Sequence, residues 1–126
     1  MENSARLDVF MTYTLYGIKA CDTMKKARAW LEDKAVDYRF HDYKAAGVDR
    51  TDLARWCDEH GWQVVLNRAG TTFRKLDDEH KVDIDQARAV ELMLAYPSMI
   101  KRPVLDLGNR TLIGFKPDLY AAAIRS

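Results

Sequence analysis

The chain is poor in the residues that would mark several specialised classes of protein. It has two cysteines, Cys21 and Cys57, too few for a disulfide framework. Its six glycines and three prolines are too sparse for a low-complexity or collagen-like chain. Charge of one sign is also missing. Twenty Lys and Arg balance nineteen Asp and Glu, for a net +1, so bulk charge offers no grip on nucleic acid or an anionic membrane. The first eight residues contain Glu2, Arg6 and Asp8 and no long apolar run, which argues against a secretion signal or membrane span. A cytoplasmic protein with reduced thiols is expected, and each thiol is then a candidate for chemistry.

What remains is an ordinary globular composition, 48% apolar and 31% charged, which argues against disorder. The 126 residues suit a single domain able to bury a core without staples. No internal repeat or linker divides it.

The pattern along the chain predicts α/β architecture. Val9 to Tyr16 reads as a strand that Gly17 breaks. Cys21 to about Lys34 reads as a helix with Met24, Ala27, Trp30 and Leu31 on one side. Val36 to His41 reads as a second strand. Strand, helix and strand in so short a span predict a βαβ unit with parallel strands.

The middle is helical. Asp49 can cap a helix to His60 with Leu53, Trp56 and Cys57 on its apolar face, and Gly61 suits its end. Trp62 to Asn67 fits one further turn, and Arg68 to Thr72 a polar loop. Asp83 and Gln86 form a capping-box-like start for a helix carrying Ala87, Val90, Met93 and Leu94 and stopping at Pro97. Short strands Val104 to Leu107 and Thr111 to Phe115 flank the hairpin signal Gly108-Asn109. Pro117 suits the first turn of a last helix that packs through Leu119, Tyr120 and Ile124. The order βαβ, helices, ββα predicts a thioredoxin-like fold, a mixed four-stranded sheet with a helical insertion at about residues 47–98.

Cys21 lies at the start of the first predicted helix. Unpaired backbone N–H groups and the helix dipole there favour an anion, and the thiolate is the nucleophilic form. Lys19 and Lys25 add charge if they approach. The competing reading is a small apolar core residue. Cys21-Asp22-Thr23-Met24 places Met where a dithiol oxidoreductase has its second cysteine, so a reaction at Cys21 needs a thiol from elsewhere. Cys57 is the internal choice, but its apolar stripe favours burial. With His60 it makes too small a set for a metal. The acidic run from Asp77 to Asp85 lacks the glycine and final glutamate of a calcium loop. No metal site is expected. Arg102-Pro103 opens a strand, where Pro is structurally reasonable or holds a cis bond. Arg102 can grip an anion through its planar fork. Arg68, Arg74 and Lys75 surround the central loop as anion contacts or merely as solvated charges.

Several of these segments resemble one family. Tyr16-Gly17-Ile18-Lys19-Ala20-Cys21-Asp22-Thr23 with Lys25-Lys26-Ala27-Arg28, then Asn67 to Leu76, then Ile100-Lys101-Arg102-Pro103 and Gly114-Phe115, resemble the YffB branch of the ArsC/Spx family. The likeness runs from about residue 12 to 120. It implies a thioredoxin-like fold with a helical insertion. It also implies that Cys21 is the nucleophile, that Arg102 binds the anion and that Pro103 is cis. Arsenate reductases of this family attack the oxyanion with such a cysteine, and glutathione and glutaredoxin reduce the product. Where they carry Arg-Pro near the C-terminus this chain has Lys116-Pro117, and lysine lacks the bidentate fork. The central arginine is out of register, with Arg68 or Arg74 available in its place. The YffB branch implies instead a glutathione-dependent thiol reductase, which suits a single cysteine. No bound cofactor is implied, and glutathione would be a co-substrate. The Spx branch implies a different class, a transcriptional adaptor binding RNA polymerase without catalysis. The third possibility is an interaction domain whose old site is vestigial.

Overall fold

The computed structural model describes residues 13–124. The first four residues of the expected first strand, and the eight before them, lie outside this range. The described residues divide into two compact units, one of residues 13–42 and 102–124 and the other Tyr43–Lys101.

The first unit is built on a sheet. Strand β1 (Tyr13–Gly17) leads to helix α1 (Asp22–Asp33) and strand β2 (Tyr38–Asp42). After the second unit the chain returns as β3 (Val104–Asp106), β4 (Thr111–Ile113) and a closing helix, Pro117–Ala123. The sheet order is β2-β1-β3-β4. β1 pairs parallel with β2, Leu15 opposite Phe40, and antiparallel with β3, Leu15 opposite Leu105. β3 and β4 form the expected hairpin. A parallel βαβ half and an antiparallel ββα half on one mixed sheet make the predicted thioredoxin-like arrangement. Gly17 is the last residue of β1 rather than its breaker.

The helix α1 shows why the apolar spacing was informative. Met24, Ala27 and Leu31 recur at the 3.6-residue period and all three are fully buried. They join Leu15, Leu105, Leu107, Leu112 and Tyr120 in one cluster, against which Cys21, Trp30 and Phe115 pack partly buried. Tyr120 meets Trp30 and Phe115 edge-on, with ring centroids 5.5 and 4.8 Å away. Leu119, expected to pack, is 51% exposed. Adjacent helix positions point about 100° apart, and Tyr120 takes the inward one.

The second unit contains α2 (Tyr43–Ala46), α3 (Arg50–His60), α4 (Trp62–Val65), α5 (Thr71–Arg74), α6 (Asp78–Lys81) and α7 (Gln86–Ala95). A 3-10 turn, Pro97–Met99, follows, and the closing helix of the first unit is therefore α8. Leu53, Trp56 and Cys57 are buried as the periodicity required. Gly61 ends α3 at φ 91°, a left-handed conformation that suits glycine. The Tyr43 hydroxyl donates to the Ile100 carbonyl at 3.0 Å.

Three expectations are corrected here. Asp49 sits at the N-cap of α3, but its side chain makes no capping bond. The segment expected as a loop at 68–72 turns helical at Thr71, because Phe73 is buried and the Arg74 amide closes on the Gly70 carbonyl at 3.1 Å. Asp85, not Asp83, caps α7. A cap needs extended backbone, which Asp85 has while accepting from the Arg88 amide at 2.8 Å. Asp83 lies at φ 54°. The later start leaves Ala87 exposed and buries Ala89, Val90, Leu92 and Met93.

Leu15 on the central strand is fully buried. Leu15→Ala is expected to lower the unfolding free energy by about 2–5 kcal/mol in urea melts. Leu119→Ala, on an exposed face, should stay within about 0.5 kcal/mol.

Candidate functional site

Cys21 is the N-cap of α1, its backbone extended at φ −138° and ψ 131°. The first helical amides therefore run past its side chain without intrahelical partners. Its own carbonyl accepts the Lys25 amide at 3.0 Å, so the residue is tied to the helix while the thiol stays partly exposed. Sγ makes no capping hydrogen bond of regular geometry. It nonetheless feels the Met24 and Thr23 amides at close range.

Arg102 completes the arrangement. It lies at the entry to β3, followed by a cis Arg102–Pro103 bond. Pro103 is buried, and its carbonyl accepts the Gly114 amide at 2.8 Å. The half-buried Arg102 side chain hydrogen-bonds toward the Cys21 sulfur and adds its positive charge.

These influences oppose one another. Partial burial pushes the Cys21 thiol up, because an anion loses hydration. The Met24 amide, the Arg102 side chain and the Thr23 amide favour the thiolate and together win, so the thiol sits below its ordinary value. Arg102 supplies the positive charge acting on Cys21, ahead of Lys19 and Lys25. Both lysines are exposed.

Cys57 is the opposite case. It is 2% exposed on the buried face of α3. Burial, aided by the neighbouring Asp58 charge, pushes its thiol up to about 11. It is a core residue with a poor nucleophile.

The other sequence-derived candidates are distributed. Lys116 is exposed at the N-cap of α8. Arg68 and Arg74 belong to the second unit. The Arg68 guanidinium lies 5.4 Å from the Trp62 ring centroid, and the Arg74 carbonyl accepts from Lys81 Nζ at 2.9 Å. Asp77, Glu79 and His80 of that unit bring ligand atoms within 4.8 Å of one another, the two carboxylates being exposed, as acidic surface groups commonly are.

The family model described as "ArsC family" matches residues 16–123. The chain belongs to the ArsC family. A solved YffB protein is 74% identical, with a TM-score of 0.89 over 90% of this chain and 100% of that one. An arsenate reductase (ArsC) related protein from Brucella melitensis is 56% identical, with a TM-score of 0.71, 89% of this chain and 93% of that one being covered. An uncharacterised Haemophilus influenzae protein is 40% identical over 110 residues, 87% of this chain and 96% of its own length. The family also reaches the global transcriptional regulator Spx of Streptococcus pyogenes, 29% identical over 83% of this chain and 79% of its own. The arsenate reductase-like membership agrees with the fold.

Residue spacing did not reveal two contributions, although the family resemblance had already named Arg102 as the anion-binding arginine. The Met24 amide, foremost among the groups favouring the thiolate, was legible only as the third residue after Cys21. The approach of Arg102 joins positions 81 residues apart (102 − 21), which spacing alone does not encode.

Arg102→Ala should raise the pH midpoint of Cys21 alkylation, since it removes a group that favours the thiolate. Alkylation rates between pH 5 and 9, with peptide mapping, check this. In the same experiment native Cys57 should stay unlabelled at pH 8.

Proposed function

We propose that this ArsC-family protein is a glutathione-dependent thiol or oxyanion reductase in which Cys21 is the nucleophile. The observation that carries the reading is the pairing of a partly exposed helix N-cap thiol, held below its ordinary value, with the Arg102 guanidinium. Perturbed groups in such settings are those that enzymes use as nucleophiles.

The Cys21 thiolate attacks one sulfur of a disulfide. A bond forms between Cys21 Sγ and that sulfur, the old S–S bond breaks, and the departing thiolate takes a proton from solvent. Glutathione thiolate then attacks the sulfur attached to Cys21 and releases the Cys21 thiolate. For an oxyanion such as arsenate, a bond forms between Cys21 Sγ and arsenic as one As–O bond breaks, the oxygen leaving as water with protons from solvent. Two external thiols, glutathione and a second glutathione or glutaredoxin, then give up two electrons by joining as a disulfide, which releases arsenite and the Cys21 thiolate. Arg102 binds the carboxylate of glutathione or the oxyanion through its planar fork. Lys19 and Lys116, in the same unit as Cys21, are the further cations available for an anionic substrate, and glutaredoxin is a candidate reductant. The need for an external thiol follows from Met24, which cannot exchange, and from the buried Cys57. A cytoplasmic setting suits this chemistry. Among the described residues no helix is long and apolar enough to cross a membrane.

The Spx relative supports a second reading, an adaptor that binds RNA polymerase without catalysis. A pull-down with the isolated carboxy-terminal domain of the polymerase α polypeptide tests it.

Intact-mass analysis after exposure to oxidised glutathione, from pH 5 to 9, tests the first. One glutathione adduct is expected on the reduced protein near pH 6, absent from Cys21→Ser and retained by Cys57→Ser. An adduct that appears only above pH 8 would reject the reductase reading.

A further inference from the structure

Gly17, the last residue of β1, is buried but not in a left-handed conformation. Its lack of a side chain therefore answers a question of space. A Cβ placed there would meet the Met24 Sδ at 2.2 Å, the Cε at 2.4 Å and the Cγ at 3.2 Å. The first two separations are far inside van der Waals contact. Met24 fills the place where that Cβ would stand.

The end of the Met24 side chain is flexible in isolation, but Met24 is fully buried among Leu15, Ala27, Leu31 and Leu105. Interiors are close-packed, so a displaced thioether must find room from its neighbours or move its own helix. Met24 is the third residue after Cys21, and its side chain and amide leave the same backbone turn. A push on the side chain is a push on the turn whose amides face the sulfur.

We propose that Gly17 is a positioning residue for Cys21: by admitting the Met24 thioether into the end of β1, it seats the first turn of α1 so that the turn's amides face Sγ. Gly17 makes no contact with substrate in this account and acts through Met24. The direction of the electrostatics agrees, because the Met24 amide leads the groups that favour the Cys21 thiolate. The inference rests on the reading of Cys21 as the nucleophile. It is independent of which electrophile the thiolate attacks.

The test is the pH profile of Cys21 alkylation by iodoacetamide, followed by peptide mapping, in wild type, Gly17→Ala, Met24→Ala and the double variant. Thermal melts verify that each variant is folded. Gly17→Ala should slow alkylation roughly tenfold at pH 5.5 and leave the rate above pH 10 unchanged, the pattern of a raised thiol pKa. Adding Met24→Ala to Gly17→Ala removes the collision, so the double variant should regain most of the lost rate. A folded Gly17→Ala with the wild-type profile would overturn the proposal. So would a double variant no faster than the single one. If Met24→Ala alone is unfolded, the single glycine variant and the double one still decide the matter. An ordinary thiol profile in the wild type would instead sink the nucleophile reading itself, so the two failures are distinguishable.

Discussion

The seating of α1 on the central strand is the constraint on which the candidate site depends. Met24, Ala27 and Leu31 are buried with Leu15 and Leu105, and burying such side chains stabilises by roughly 1.5–3 kcal/mol each for the larger ones. That packing fixes where the helix begins. The residue at its beginning is Cys21, so apolar packing in the core sets the direction in which polar amides face a sulfur. The antiparallel pairing of β1 with β3 does the same for the other half of the site. It holds the start of β3, and with it Arg102, beside the end of β1.

The elements that a sequence shows best are those in which one helix or strand carries its own period. Met24, Ala27 and Leu31 announced α1, and Leu53, Trp56 and Cys57 announced α3, because a buried face repeats every 3.6 residues. The parallel pairing of β1 and β2 followed from the short crossover. Boundaries were less legible. Asp83 and Asp85 are the same residue type two positions apart, and only the backbone angle of each decides which can cap a helix. Thr71 to Arg74 reads as polar until Phe73 is known to be buried. For the site, Cys21 was visible because helix starts are local features. Its electrostatic partner was named by the family resemblance, as the anion-binding arginine, and not by spacing, since the contact is made through the fold.

The two thiols show how far environment outweighs residue type. Both start from the same chemistry. Cys21 is half covered and faces amides and a guanidinium, which overcome the cost of burial. Cys57 is covered more completely and faces no compensating charge but the carboxylate of Asp58, which acts in the wrong direction. A protein with a net charge of +1 thus holds one cysteine below its ordinary pKa and the other above it. Overall charge is irrelevant at this scale, because a single arginine at hydrogen-bonding range outweighs distant charges screened by water and salt.

Met24 links the packing to the chemistry. In a dithiol site the residue three positions after the nucleophile is a second thiol, and it can displace whatever the first one has captured. Here that position holds a thioether, which has no proton to lose and cannot enter thiolate exchange. Its side chain is instead drawn wholly into the core, while its amide remains at the sulfur. On the reductase reading, this divides the reaction between the protein and a diffusible thiol: Cys21 makes the first bond, and the second exchange comes from outside. Such a site must leave its adduct reachable. The partial exposure of Cys21 meets that requirement, and a deeper, more rigid burial of the nucleophile would defeat it.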